Sequence, residues 1–157
     1  HSYCLGFIMN VVVLAAGKGK RMHSSLPKVL QALAGRPLLD HVLDATAGLA
    51  DHPRVVVIGH AADIVRKHYE GRTDIVFALQ QEQLGTGHAL MQALAAINPE
   101  DPLTLVCLGD VPLLSPKTLM AMAEAGADGS LVLLTVELSD PTGYGRIVRF
   151  RCRSFNR

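Results

Sequence analysis

The chain has 157 residues, 49% of them hydrophobic, with no Trp, few aromatics and a net charge of +1. That is one domain's worth of chain, or part of a larger domain, with a Leu-, Val- and Ala-based core, too nearly neutral for a general nucleic-acid binder. Three cysteines, Cys4, Cys107 and Cys152, are an odd number without metal-ligand spacing, so neither a disulfide framework nor a zinc site is expected, and a reducing cytoplasm fits best. No run of 18 apolar residues occurs, so no spanning helix and no membrane partner are expected.

In chain order, HSYCLGFI lacks the charged start and the apolar length of a signal peptide, and residues 1–9 read as a leader or remnant around a natural start at Met9. Val11 to Leu14 is a short β-branched run, hence a buried strand. It breaks into Ala15-Ala16-Gly17-Lys18-Gly19-Lys20-Arg21, where small residues allow close backbone approach to a ligand and Lys18, Lys20, Arg21 and Lys28 supply cations. A strand ending in a phosphate-binding loop is one reading; an ordinary glycine turn with solvated lysines is the other. The loop is not a P-loop, and Met22 stands where a dinucleotide loop needs its third glycine.

Val29 to Gly35 reads as an apolar connector and Gly35-Arg36-Pro37 as a turn, with a helix from Leu38 to about Leu49. Arg54 to Ile58 is a second strand, Ala61 to Tyr69 a helix and Ile75 to Leu79 a third strand. A polar loop from Gln80 to His88 follows, then a helix over Leu90 to Ile97. Leu103 to Leu108 is a fourth strand ending in Gly109-Asp110, Pro116 to Ala125 a helix, Ser130 to Val136 a fifth strand and Ile147-Val148 a short last one. Strands alternating with helices predict an α/β fold, a mainly parallel sheet with helices on both faces. Ligands sit outside the carboxyl ends of such strands. The Gly17, Gln80 and Asp110 loops each follow a strand, so they are expected to converge on one site.

At that edge Asp110 is either a Mg²⁺ ligand or the cap of the turn at Pro112. Gln80 can both donate to and accept from a nucleobase edge, with Gly85 and Thr86 beside it, while Thr86 also reads as a helix N-cap. His41, His52 and His88 read as structural, and Cys107 as a small buried hydrophobe.

The string L-A-A-G-x-G-x-R-M from Leu14 to Met22, followed by Leu26-Pro27-Lys28, resembles the signature of nucleotidyltransferases that make nucleoside-diphosphate sugars. With Q-x-E-Q-L-G-T-G-H-A from Gln80, L-G-D-V-P-L from Leu108 and D-P-T-G-Y-G-R-I from Asp140, the stretch Asn10 to Arg149 resembles the bacterial bifunctional N-acetylglucosamine-1-phosphate uridylyltransferases, the GlmU family. The resemblance implies a Rossmann-like nucleotidyltransferase domain that transfers UMP from UTP to N-acetylglucosamine 1-phosphate with Mg²⁺, supplying cell-wall and lipopolysaccharide precursors. It implies that Leu14, Ala15, Ala16 and Gly17 line the uridine site and that Arg21 and Lys28 meet the phosphates catalytically. It further implies that Gln80, Gly85 and Thr86 read uracil, Leu108 and Gly109 contact the nucleotide, Asp110 holds the metal, and Gly145 approaches the sugar phosphate.

In the family this domain continues past Val148 to sugar- and metal-binding residues, and a second, β-helical acetyltransferase domain assembles full-length members into homotrimers. Residues 10–149 are therefore expected to be a partial domain, incomplete at its C-terminal side, and FRCRSFNR at 150–157 a tail outside the family, as a truncation or a shifted frame would leave. No acetyltransferase activity is expected. Marginal stability or self-association of the isolated chain is expected, from an unpaired sheet edge. An active uridylyltransferase, a non-catalytic UTP- and Mg²⁺-binding module and a nucleotidyltransferase for another sugar phosphate remain open.

Overall fold

The computed structural model describes residues 9–19, 24 and 26–148. The expectations for Arg21, for Lys20 and for the two chain ends lie outside the described residues.

Four apolar runs form one parallel sheet. They are β1 (Met9–Leu14), β4 (Arg54–Ile58), β5 (Ile75–Leu79) and β6 (Leu103–Leu108), in the order β5-β4-β1-β6. Val12 aligns with Val55 on one side of β1 and with Val106 on the other. Two-residue strands β2 (Ala32–Leu33) and β3 (Arg36–Pro37) make a separate antiparallel hairpin. Its turn, Ala34-Gly35, has positive φ at both residues, the requirement of a type I′ hairpin.

The helices are α1 (Leu38–Thr46), α2 (Ala62–His68), α3 (Thr86–Ala93) and α4 (Pro116–Ala125). The strand order decides their faces. From β1 the chain steps outward to β4 and β5, then returns past β1 to β6. Right-handed crossovers taken in opposite directions put their helices on opposite faces. Accordingly Val11, Val13, Val56 and Ile58 pack with Leu39 and Leu43 of α1, Val65 of α2 and Leu119 of α4. The alternate residues Val12, Val55 and Val57 pack with Ala89 and Ala93 of α3. Full burial of each such valine contributes about 1.5–3 kcal/mol, so both faces are anchored.

Polar pairs fix the layers. The side chain of Asn10, in β1, donates to Asn98 O and accepts from Asn98 N, both at 2.8 Å, tying the sheet to the segment after α3. The buried Arg54 donates to Leu43 O at 2.6 Å and to the Asp74 carboxylate. Hydrogen bonding to Arg72, with the charges of both arginines, holds the Asp74 carboxyl down at about 2. Cys107 is a free, buried thiol that burial pushes up to about 11, too weakly acidic for a nucleophile at neutral pH.

The structure corrects six expectations. The turn expected at Gly35-Arg36-Pro37 sits at Ala34-Gly35, and Arg36-Pro37 pairs with Ala32-Leu33 as strand β3. Leu38 starts α1 as expected, but the helix ends at Thr46, whose hydroxyl turns back to Val42 O, short of Leu49. The third helix begins at Thr86 and ends at Ala93, not Leu90 to Ile97. Its N-cap is Gly85, with φ of 101° and no side-chain cap, so Thr86 is the first helical residue and not the cap. Ser130 to Val136 and Ile147-Val148 form no strands, because neither stretch finds a ladder partner among the described residues.

Candidate functional site

The order reverses at β1: its two sheet neighbours, β4 and β6, are reached by chain running in opposite directions. The crevice beyond the carboxyl ends of β1 and β6 is thus the topological switch point, where an open α/β sheet binds ligands. A cavity of about 360 Å³ lies there.

Three strand ends supply its walls. From β1 come Leu14, Ala15, Ala16 and Gly17; among the described residues nothing lies within 4 Å of where a Cβ on Gly17 would stand, so the strip beside it is open. From β6 come Leu108 and Asp110, and from the segment after β5 come Gln80, Gly85 and Thr86. Lys28 enters from the 3₁₀ turn Lys28–Leu30.

Lys28 Nζ lies 2.5 Å from Asp110 Oδ2, and both side chains remain partly exposed. This ion pair, rather than a cap on the turn at Pro112, engages the Asp110 carboxylate. Among the described residues no three of His, Cys, Asp or Glu cluster as a metal cage. A single carboxylate facing a cavity is still the donor set a Mg²⁺ ion uses when substrate phosphates and water complete its shell.

Gln80 is buried, its backbone held by Ile58 O at 2.7 Å. Its Nε2 donates to Gly85 O at 3.1 Å and approaches His88 Nδ1 at 3.1 Å. The wide positive φ of Gly85 turns the loop so that this carbonyl faces back onto Gln80, a conformation that only glycine adopts cheaply.

Ten of the residues expected at the site thus line one cavity. Gly109 does not line it; its N–H donates to Leu14 O at 2.9 Å and joins the ends of β1 and β6. Gly145 lies in the exposed segment after Asp140 and does not line it either. Sequence reasoning missed Gln83, Val29 and Ala89 in the lining. Gln83 Nε2 donates to Ala16 O at 2.8 Å, bridging the loops after β5 and β1. No spacing rule could reveal a contact between a loop and a strand end so far apart in sequence.

Comparison with known proteins agrees with this fold. The chain is 57% identical over 141 residues to the bifunctional protein GlmU of Burkholderia mallei (strain SAVP1), covering 90% of this chain and 31% of that protein. It therefore spans about a third of the length of the curated relatives it matches. Among solved structures it resembles a nucleotidyl transferase from Methanothermobacter thermautotroptrophicus, at 27% identity and a TM-score of 0.66 over 76% of this chain and 58% of that one. It also resembles Rv0371c from Mycobacterium tuberculosis H37Rv in complex with manganese, at 25% identity and a TM-score of 0.64 over 77% of this chain and 60% of that one. A family model, that of the MobA-like NTP transferase domain, matches residues 11–154, and with strand order and cavity in accord the chain belongs to this nucleotidyltransferase family.

Proposed function

We propose that the chain is the nucleotide-handling part of a uridylyltransferase, binding UTP with Mg²⁺ and transferring UMP to N-acetylglucosamine 1-phosphate. The observation that carries this reading is the convergence of the small-residue loop, the Lys28–Asp110 pair and the Gln80–Gly85–Thr86 edge on one cavity at the switch point. The resemblance of the Gln80, Leu108 and Asp140 motifs to the GlmU family supports the choice of uridine and of the amino-sugar phosphate.

In this reading the backbone from Leu14 to Gly17 lies along the nucleoside, and Gln80, Gly85 and Thr86 meet the base. Lys28 and Arg21 bind the triphosphate. Asp110 would hold Mg²⁺ with phosphate oxygens, and the ion would neutralise triphosphate charge; the manganese complex of Rv0371c supports a divalent cation in such a fold. An oxygen of the sugar phosphate bonds to the α-phosphorus of UTP as the α–β bridging bond breaks, and pyrophosphate leaves with that electron pair. The attacking phosphate is already ionised, so no general base is needed. The work of this chain is positioning and charge stabilisation, which is how phosphoryl transfer is generally catalysed.

A calorimetric titration with UTP and Mg²⁺, with CTP and GTP as controls, tests the binding step. Mg²⁺-dependent preference for UTP is expected, and no nucleotide binding overturns the reading. Pyrophosphate release on adding N-acetylglucosamine 1-phosphate tests turnover. A module that holds UTP without turnover is the second reading, favoured by Gly145 lying outside the cavity lining; UTP binding without pyrophosphate release is its outcome.

A further inference from the structure

His88, in the first turn of α3, stands behind Gln80. A carbonyl oxygen only accepts, so the Gln80 amide atom that meets Gly85 O at 3.1 Å is the nitrogen. Its second hydrogen faces His88 Nδ1, also at 3.1 Å, and that ring nitrogen must then be the unprotonated one. Gln92 Nε2 competes for the same ring from the other side, at 3.2 Å from Nε2 of His88. Neutral imidazole has one lone pair to give. Gln80 is 4% exposed and has no water to turn to, whereas the half-buried Gln92 has another acceptor for its Nε2, the backbone carbonyl of His88 at 3.3 Å. The lone pair therefore goes to Gln80.

With both amide hydrogens spent, Oε1 is the atom of Gln80 left for the cavity that the residue lines. A bare acceptor at that position suits a base whose ring presents N–H between carbonyls, as uracil does at N3. It opposes the unprotonated N3 of cytosine, where two acceptors would meet. We infer that His88 is a positioning residue that holds the Gln80 amide oxygen-first toward the base, so that preference for uracil over cytosine depends on a side chain behind the one that reads it. The inference rests on the proposed reading that the base docks against Gln80.

The test compares wild type, His88→Leu and His88→Asn in calorimetric titrations with UTP and CTP in the presence of Mg²⁺. Losing one of the two bonds that fix the amide is expected to lower the UTP-to-CTP affinity ratio roughly twofold to tenfold in His88→Leu. Asn carries an acceptor in place of Nδ1 and is expected to restore the ratio. A merely structural histidine would weaken both nucleotides together and leave the ratio unchanged, which overturns the inference while leaving the uridylyl reading in place. A wild-type chain without preference for UTP overturns the base assignment and this inference with it. The ring nitrogen resonances of His88 in the free chain decide independently of any ligand or of the folding of His88→Leu: an unprotonated Nδ1 is expected, and a protonated one overturns the inference.

Discussion

Lys28 and Asp110 neutralise each other at the mouth of the cavity, and the strength of that pair decides what a ligand must overcome. Their side chains are 39% and 31% exposed, so water screens the 2.5 Å contact, and breaking such a pair costs about 0–1 kcal/mol. A phosphate oxygen offers Lys28 a charge-assisted bond worth about 1.5–3 kcal/mol, so exchanging partners for a triphosphate runs downhill. Lys28→Ala is accordingly expected to weaken UTP binding by about tenfold or more while leaving uridine nearly unaffected. Titration with both ligands checks this, and equal losses would remove Lys28 from the phosphate site. Asp110→Asn is expected to erase the Mg²⁺ enhancement of UTP binding with an unchanged melting curve, since the amide fits the carboxylate's space. Retained metal dependence would argue that the carboxylate has another role.

At the scale of elements, the strand ends are spaced by a glycine. A Cβ on Gly59, just past β4, would stand 3.0 Å from Ala16 Cβ and 3.0 Å from Gln80 O. Those atoms belong to two walls of the cavity, so Gly59→Ala must press them apart. Overpacking of this kind costs about 1–3 kcal/mol. Gly59→Ala is expected to lose that much in denaturant unfolding and to lose UTP affinity as well. Gly48→Ala, where a Cβ meets nothing among the described residues within 4 Å, serves as the control that should lose neither. Equal stability of the two variants would refute the spacer role.

The same strands show how far the sequence could be read. β1, β4, β5 and β6 were legible because each is a five- or six-residue, mostly apolar stretch holding β-branched residues, too short for a helix and followed by a small or polar residue. Their convergence followed from the alternation with helices, which is why most expected site residues line the cavity. Local pattern failed where the outcome depends on a partner. Ser130 to Val136 has strand composition, yet a strand exists only when a neighbour accepts its hydrogen bonds. The start of α3 was hidden by polar Thr86, Gly87 and His88, whose propensities argue for loop while the Gly85 turn and packing of Ala89 and Ala93 against the sheet favour helix. The Gln80–His88 contact also needed that earlier start, because only a helix begun at Thr86 brings His88 back over Gln80.

At the scale of the whole molecule, apolar burial is distributed unevenly along the chain. The two cores draw on residues from Met9 to Ala123. From Ala127 to Val148 no residue is buried, and Leu131 and Val136 are 88% and 72% exposed. The hydrogen bonds within this stretch are short-range, such as Tyr144 N to Pro141 O at 3.0 Å and Thr142 N to Asp140 Oδ1 at 3.0 Å. Across a groove of about 960 Å³, Leu131 to Leu134 face β6, the sheet's edge strand, without joining its ladder. A segment with few buried contacts and exposed backbone belongs to the low-stability end of a structure and opens without the rest unfolding. Limited proteolysis is therefore expected to cut first between Ala127 and Val148 and to leave a resistant body that carries both cores and every cavity-lining residue. That body should melt at nearly the temperature of the intact chain and bind UTP with similar affinity, because no described residue beyond Asp110 lines the cavity. A first cut inside the 9–126 body, or loss of the cooperative melt once the later segment is removed, would mean that residues 127–148 hold the sheet together through contacts their exposure does not reveal.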